Sequence, residues 1–304
     1  MHTHEQRVGQ NTDAIIDYFD QFSRGYEQVF QPSHAYIVCS TQRSGSTYLC
    51  RLLASTGVAG NPQEYFEARA ETGSPPHPGY FLAGLPRTGA GIRDDGRPTD
   101  APEYSDLRAV DGWAEHLERT FRLGTSENGV FGVKLMWNQL PDLEQHATAM
   151  PEFAGLDGSD LLDRLLGHPS YVWLRRRDKV RQAISLWRAL QTRTWRAEHP
   201  AAEGEHPTLS YSFRGIEHLR RRLSADDEAW GRFFLHSLID PLELVYEDDV
   251  SPDPADAVAR VLARIGVGVP PGWTPDTRMA QQSDELNEGW YAAYHRDATT
   301  RLEV

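Results

Sequence analysis

Cysteine is scarce in this 304-residue chain, with only Cys39 and Cys50 present. Two thiols are too few for a disulfide-dense scaffold or a cysteine-built zinc site. Both fall on a candidate strand and helix, where small apolar residues belong. They read as reduced core thiols of a cytoplasmic protein, with a disulfide open but unneeded. Long apolar runs are missing, so no membrane span is expected. The start, Met1-His2-Thr3-His4-Glu5, lacks the character of a signal peptide. The twelve histidines show no spacing of the H-E-x-x-H kind, and no metal is expected. Positive charge is in deficit as well: the net charge of −13 argues against a general nucleic-acid or anionic-membrane binder.

Basic residues are instead concentrated. Between positions 175 and 196 stand Arg175, Arg176, Arg177, Lys179, Arg181, Arg188, Arg193 and Arg196, against the single acid Asp178. Such a patch in an acidic protein points to a specific anionic ligand, with a solvated helix face as the alternative. A second anion signal lies upstream. Tyr36-Ile37-Val38-Cys39 reads as a short buried strand, followed by the polar loop Ser40-Thr41-Gln42-Arg43-Ser44-Gly45 and a helix opening at Ser46-Thr47-Tyr48-Leu49. A strand–loop–helix junction aims backbone N–H groups and the positive end of a helix dipole at one point, which suits phosphate or sulfate. Ser44, Ser46 and Thr47 add hydroxyls, Arg43 a bidentate cation, and Gly45 close backbone approach. The loop is shorter than a Walker A motif and has no Lys before its hydroxyl pair, which argues against an ordinary nucleoside triphosphatase.

Residues 1–32 read as an N-terminal extension. Its apolar residues Ile15, Ile16, Tyr18, Phe19, Phe22, Tyr26, Val29 and Phe30 have helical spacing, predicting an amphipathic helix packed on the domain or on a partner subunit. Residues 33–304 form the main domain. Within it, 71–105 holds six Gly and six Pro and predicts a long loop; 197–210 is a second polar connection. Further strands are predicted at Val130–Leu135, Tyr171–Leu174 and Leu242–Tyr246. Helices are predicted after Leu49, closing at Gly57, and along Val180, Ala183, Ile184, Trp187 and Leu190. A further one runs over 255–265. Short apolar strands alternating with helices predict an α/β fold: three αβα layers around a mainly parallel, P-loop-like sheet. Ligands of such folds bind at the carboxyl ends of the strands, where both anion signals fall.

Several blocks in order resemble a known family: STQRSGSTYL at 40–49, GVAGNPQEYF at 57–66, GVKLMWNQ at 132–139, LRRRDKVRQAISLWRALQTRTW at 174–195 and QQSDELNEGWYAAYHRD at 281–297. Together they are similar to sulfotransferases that use 3′-phosphoadenosine 5′-phosphosulfate, in the bacterial trehalose 2-sulfotransferase branch. The resemblance implies that Gln42–Thr47 is the 5′-phosphosulfate loop, with Arg43 where many sulfotransferases carry Lys. It implies Arg177 and Ser185 as a 3′-phosphate pair, a role Arg176 can exchange with Arg177. Gln281 and Ser283 fall in the segment that closes over the nucleotide, and Glu64 matches the catalytic carboxylate. A sugar hydroxyl is a poor nucleophile at neutral pH, so a positioned base suits the chemistry. Arg43 and the loop N–H groups would stabilise charge on the leaving phosphate without a metal.

Lys134, Trp137 and Asn138 follow a strand end and read either as acceptor-pocket lining or as buried packing. Arg188, Gln191, Arg193 and Trp195, with Trp187, offer stacking faces and donors for a polyol. Glu247-Asp248-Asp249 reads as capping acids. A homodimer is expected from the resemblance and from the aromatics of 18–30. Two rival readings remain at this point: a kinase-like P-loop phosphotransferase, which should need a Walker Lys and Mg²⁺, and a nucleotide-binding protein without turnover.

Overall fold

The computed structural model describes residues 32–67, 81, 113–147, 150–192, 209–276 and 285–302. The helix expected over 12–30 and nearly all of the Gly/Pro-rich stretch lie outside them. Among the described residues, β1 (His34–Ser40), β2 (Val130–Met136), β3 (Ser170–Arg175) and β4 (Leu242–Val245) form one sheet in the order β2-β1-β3-β4. Every pairing is parallel, with Tyr36 opposite Gly132 and Ser170, and Val172 opposite Leu242. The four predicted strands are thus all present, each extended or shortened by a residue or two.

β1 is central and buried on both faces, which is why it reads as an unbroken apolar run. The pleat sends alternate residues to opposite sides. Ala35, Ile37 and Cys39 pack with Phe131, Val133 and Leu135 against α3 (Leu140–Ala147), α4 (Gly158–Leu166) and α6 (Phe213–His236). Tyr36 and Val38 pack with Val172, Leu174 and Leu244 against α1 (Ser46–Ser55) and α7 (Pro254–Arg264). Each such aliphatic or aromatic side chain contributes roughly 1.5–3 kcal/mol by leaving water. A third cluster joins α5 (Lys179–Thr192) and α6 to α8 (Glu285–Leu302) through Ile184, Leu186, Ile216, Leu219, Trp290 and Tyr294. The remaining described helix, α2 (Trp113–Gly124), leans on β2. Cys39 and Cys50 are buried, unlinked thiols. No helix among the described residues is long and apolar enough to cross a membrane.

The strand order reverses direction at β1, since the chain leaves it for β2 on one side and later returns to β3 on the other. That switch point opens a crevice at the carboxyl ends of β1 and β3. The loop after Ser40 and the arginines after Leu174 both border it. Trp230 of α6, buried in the core, holds the end of β1 by donating its indole N–H to the Ser40 carbonyl at 3.0 Å.

Candidate active site

The loop from Thr41 to Gly45 is shaped by two left-handed residues, Arg43 at φ 62° and Gly45 at φ 93°. Alternating backbone hand turns successive amides inward, a concave arrangement suited to an anion. Glycine is required at position 45 by contact as well as by φ, because a Cβ there would stand 2.3 Å from Cδ2 of Tyr246. Gln182 of α5, fully buried, holds the loop from behind. Its amide donates to Thr41 Oγ1 at 2.9 Å and to the Gln42 carbonyl at 2.7 Å, and its oxygen accepts from Lys179 at 3.1 Å. Gln42 donates to Asn138 Oδ1 at 2.5 Å.

Two features of this loop match an anionic ligand. Helix α1 starts at Ser46 with no side-chain cap, so its first N–H groups face the crevice without a carboxylate or hydroxyl acceptor from its N-cap residue. Ser44 Oγ and Gln42 Oε1 are buried and have no hydrogen-bond partner among the described residues. A buried hydroxyl in such a position costs about 1–3 kcal/mol until something meets it.

Arg43 reaches across to β3 and α5. Its Nε donates to Ser185 Oγ at 2.9 Å, while Arg176 donates to the Arg43 carbonyl at 2.9 Å. Burial, then the guanidiniums of Arg176 and Arg188, lower the Arg43 pKa to about 10. Three guanidiniums are therefore gathered around one loop. Arg188 also donates to Asn287 at 2.9 Å. Among the described residues, Arg175, Arg177, Lys179 and Arg181 of the basic run are paired with acids from neighbouring elements. Arg175 pairs with Glu243 at 2.7 Å, Lys179 with Asp227 at 2.6 Å, and Arg181 with Glu288 at 3.0 Å. Arg177 pairs with Asp248 and is exposed. Of the two arginines considered for the 3′-phosphate, the structure brings Arg176 beside Arg43, whose side chain meets Ser185, and turns the Arg177 side chain toward Asp248.

Glu64 is carried to the same crevice by its own backbone. Gln63 bridges Val133 in parallel fashion, and its carbonyl accepts from the Lys134 N–H at 2.9 Å. The Glu64 side chain meets Lys134 Nζ at 2.7 Å through one oxygen and accepts from Gln139 at 2.8 Å through the other. Lys134, only 1% exposed, also donates to Thr47 Oγ1 at 3.1 Å. One buried ammonium thus links the carboxylate to the first turn of α1.

Of the two readings of Lys134, Trp137 and Asn138, the packing one describes Trp137, whose ring stands edge-on to Trp230 at 5.1 Å. Lys134 lies beneath Glu64, and Asn138 joins the anion loop. Gln191 has both ends of its amide engaged with Ser210, accepting from its N–H at 2.8 Å. Arg193, Trp195, Gln281 and Ser283 lie outside the described residues. Three functional positions escaped the sequence reading. Gln182 and Gln139 look like surface amides by type, and Tyr246 looks like the end of a strand. Gln139 and Gln182 do fall inside quoted blocks, GVKLMWNQ and LRRRDKVRQAISLWRALQTRTW, whereas Tyr246 falls in none.

The chain matches the Stf0 sulphotransferase family over residues 35–297. It is 35% identical over 266 residues to a trehalose 2-sulfotransferase of Mycobacterium tuberculosis, covering 86% of this chain and 95% of that protein. It is 32% identical over 269 residues to a trehalose 2-sulfotransferase of Mycolicibacterium smegmatis, covering 87% and 95%. A carboxylate wired to an anion loop at a sheet switch point, in a sequence matched along almost its whole length, leads to one assignment: the chain belongs to the Stf0 sulphotransferase family, and it is a sulfotransferase.

Proposed function

We propose that the protein transfers a sulfuryl group from 3′-phosphoadenosine 5′-phosphosulfate to a hydroxyl of a trehalose-like sugar, with Glu64 as general base. The observation that carries this reading is the Glu64–Lys134–Thr47 chain, which fixes a carboxylate beside the anion loop. Residues 42–47 hold the 5′-phosphosulfate: the α1 amides without a side-chain cap and the buried Ser44 Oγ supply donors, and Arg43 adds positive charge. Arg176 or Arg177, with Ser185, takes the 3′-phosphate, and Gln281 and Ser283 contribute from the segment before α8. Asn138, Arg188 and Trp195 line the acceptor side.

In the transfer the acceptor O–H gives its proton to Glu64 while its oxygen forms a bond to sulfur. The bond from sulfur to the 5′-phosphate oxygen breaks in line, and its electron pair stays on that oxygen. Arg43 and the loop N–H groups are aimed where this charge grows, so they stabilise the transition state more than the ground state. The trehalose acceptor is taken from the two relatives' names. A cytoplasmic setting fits the free, buried thiols.

Glu64→Gln tests the base. Sulfate transfer from the labelled donor to trehalose should fall about 10²–10⁴-fold. The affinity for 3′-phosphoadenosine 5′-phosphate, measured by calorimetry, should stay within about threefold. Unchanged turnover would remove Glu64 from the mechanism. Preference of the parent protein for ATP with Mg²⁺ over the 3′-phosphorylated nucleotide would overturn the donor. We further read the chain as a homodimer, which a monomer mass in light scattering would refute.

A further inference from the structure

The segment after β4, Tyr246–Val250, forms a single π-helical turn. Such turns insert an extra residue and often mark functional sites. Here the turn faces the arginine loop between β3 and α5. The Glu247 carboxylate accepts from two consecutive backbone amides, Arg177 N at 2.9 Å and Asp178 N at 3.2 Å, one on each oxygen. The same carboxylate lies 3.6 Å from Arg176 Nε. The preceding ring, Tyr246, stands 5.3 Å from the Arg176 guanidinium and against Gly45 of the anion loop. Asp249 secures the turn itself, accepting from Val245 N at 2.6 Å and from Arg260 at 2.5 Å.

This arrangement differs from ordinary capping. Asp178 already caps α5, accepting from Arg181 N at 2.9 Å. Glu247 instead takes the two amides just outside the helix, which would otherwise be open to an anion at the helix N-terminus. A phosphate arriving here is left the guanidiniums and Ser185, not the amides. The carboxylate also fixes where the Arg176 and Arg177 side chains leave the backbone.

We infer that Glu247 is a positioning residue: it holds the Arg176–Arg177 turn so that its guanidiniums recognise the 3′-phosphate, and it thereby sets the preference for a 3′-phosphorylated nucleotide. This rests on the donor assigned above. Each carboxylate oxygen takes one of the two amides, so a glutamine, with an NH2 donor in place of one oxygen, only half replaces it.

The test is calorimetric titration of the full chain with 3′-phosphoadenosine 5′-phosphate and, separately, with adenosine 5′-phosphate. Glu247→Ala should weaken the first roughly ten- to a hundredfold and the second by less than about threefold, so the preference collapses. Glu247→Gln should fall between, and it carries the test if the alanine variant does not fold. Tighter binding of the 3′-phosphorylated nucleotide by either variant would overturn the inference, since the carboxylate would then merely repel phosphate. Equal weakening of both nucleotides would overturn it too, leaving Glu247 a general support of the fold. A parent protein that binds both nucleotides equally would instead refute the donor assignment, and this inference with it.

Discussion

Gly45→Ala probes how tightly the anion loop is held. Two separate costs meet at this position. An L-residue in the left-handed conformation observed, φ 93°, costs about 1–2 kcal/mol. The new Cβ would also lie 2.3 Å and 2.5 Å from two ring carbons of Tyr246, and overpacking of this kind costs about 1–3 kcal/mol. The sum is about 2–5 kcal/mol of stability. In a Tyr246→Ala background only the backbone part remains, so the same substitution should cost about 1–2 kcal/mol. The coupling between the two sites, about 1–3 kcal/mol, is the quantity to measure by urea unfolding of the four proteins in the cycle. The nucleotide should report the same geometry: Gly45→Ala should weaken 3′-phosphoadenosine 5′-phosphate, and Tyr246→Ala should restore part of the loss. An equal penalty in both backgrounds would show that the ring does not fix the loop, and would remove Tyr246 from the site.

Lys134→Met removes the cation from a carboxylate that is largely out of water, side chains 2% and 18% exposed. Breaking such a pair from one side should cost about 3–5 kcal/mol in chemical denaturation, and Glu64→Gln added to it should recover part of that. A single variant as stable as its parent would refute the link between Glu64 and α1. Glu217 of α6 governs a different process. It accepts from Arg220 at 2.7 Å, Arg221 at 2.6 Å and the Tyr294 hydroxyl of α8 at 2.6 Å. The Arg220 hydrogen bond first, then those from Tyr294 and Arg221, hold its pKa down at about 2 against the opposing effect of burial. A depressed carboxylate contributes stability above its ordinary value near 4.5 and loses it as pH falls from there through about 2. After allowance for solvent screening the contribution is about 1–2 kcal/mol. The protection of α8 amides, corrected for the intrinsic pH dependence of exchange, should therefore fall across that window in the parent and stay flat in Glu217→Gln. Protection that is equally pH-dependent in both would refute the assignment.

The centre of the sheet was legible because β1 is buried on both faces and, like Tyr171–Leu174 of β3, carries an apolar run that could hardly face water. The junction after β1 was legible because hydroxyls, an arginine and a glycine cluster where a strand gives way to a helix. What stayed hidden depends on contacts between distant segments. Gln182 lies beside the apolar stripe of α5, and its type says surface; only the position of the Thr41–Gln42 backbone makes it a buried brace. Tyr246 and Glu247 act on Gly45 and on the Arg177 amide from the turn after β4, so no local spacing announces them. Lys134 did leave a sign. A lysine inside the apolar run Val130–Met136 must find a buried partner, and Glu64 is that partner.

Along the basic run the cations largely serve to join elements. Nearly every positive residue along 175–181 faces a carboxylate from β4, the turn after it, α6 or α8, and these pairs hold neighbouring elements together. Arg176 is the exception in kind: its firm contacts are the Arg43 carbonyl and the Tyr246 ring, with Glu247 at 3.6 Å. It is thereby directed at Arg43, whose pKa is lowered mainly by burial and further by Arg176 and Arg188. At about 10 that pKa still leaves Arg43 charged at neutral pH, so the repulsion among the three guanidiniums persists in the free protein. A bound anion adds opposite charge beside the guanidiniums of Arg43, Arg176 and Arg188 and so lessens their mutual repulsion. Binding and the stability of this crevice are therefore linked, and a doubly phosphorylated nucleotide should stabilise the fold more than either phosphate alone.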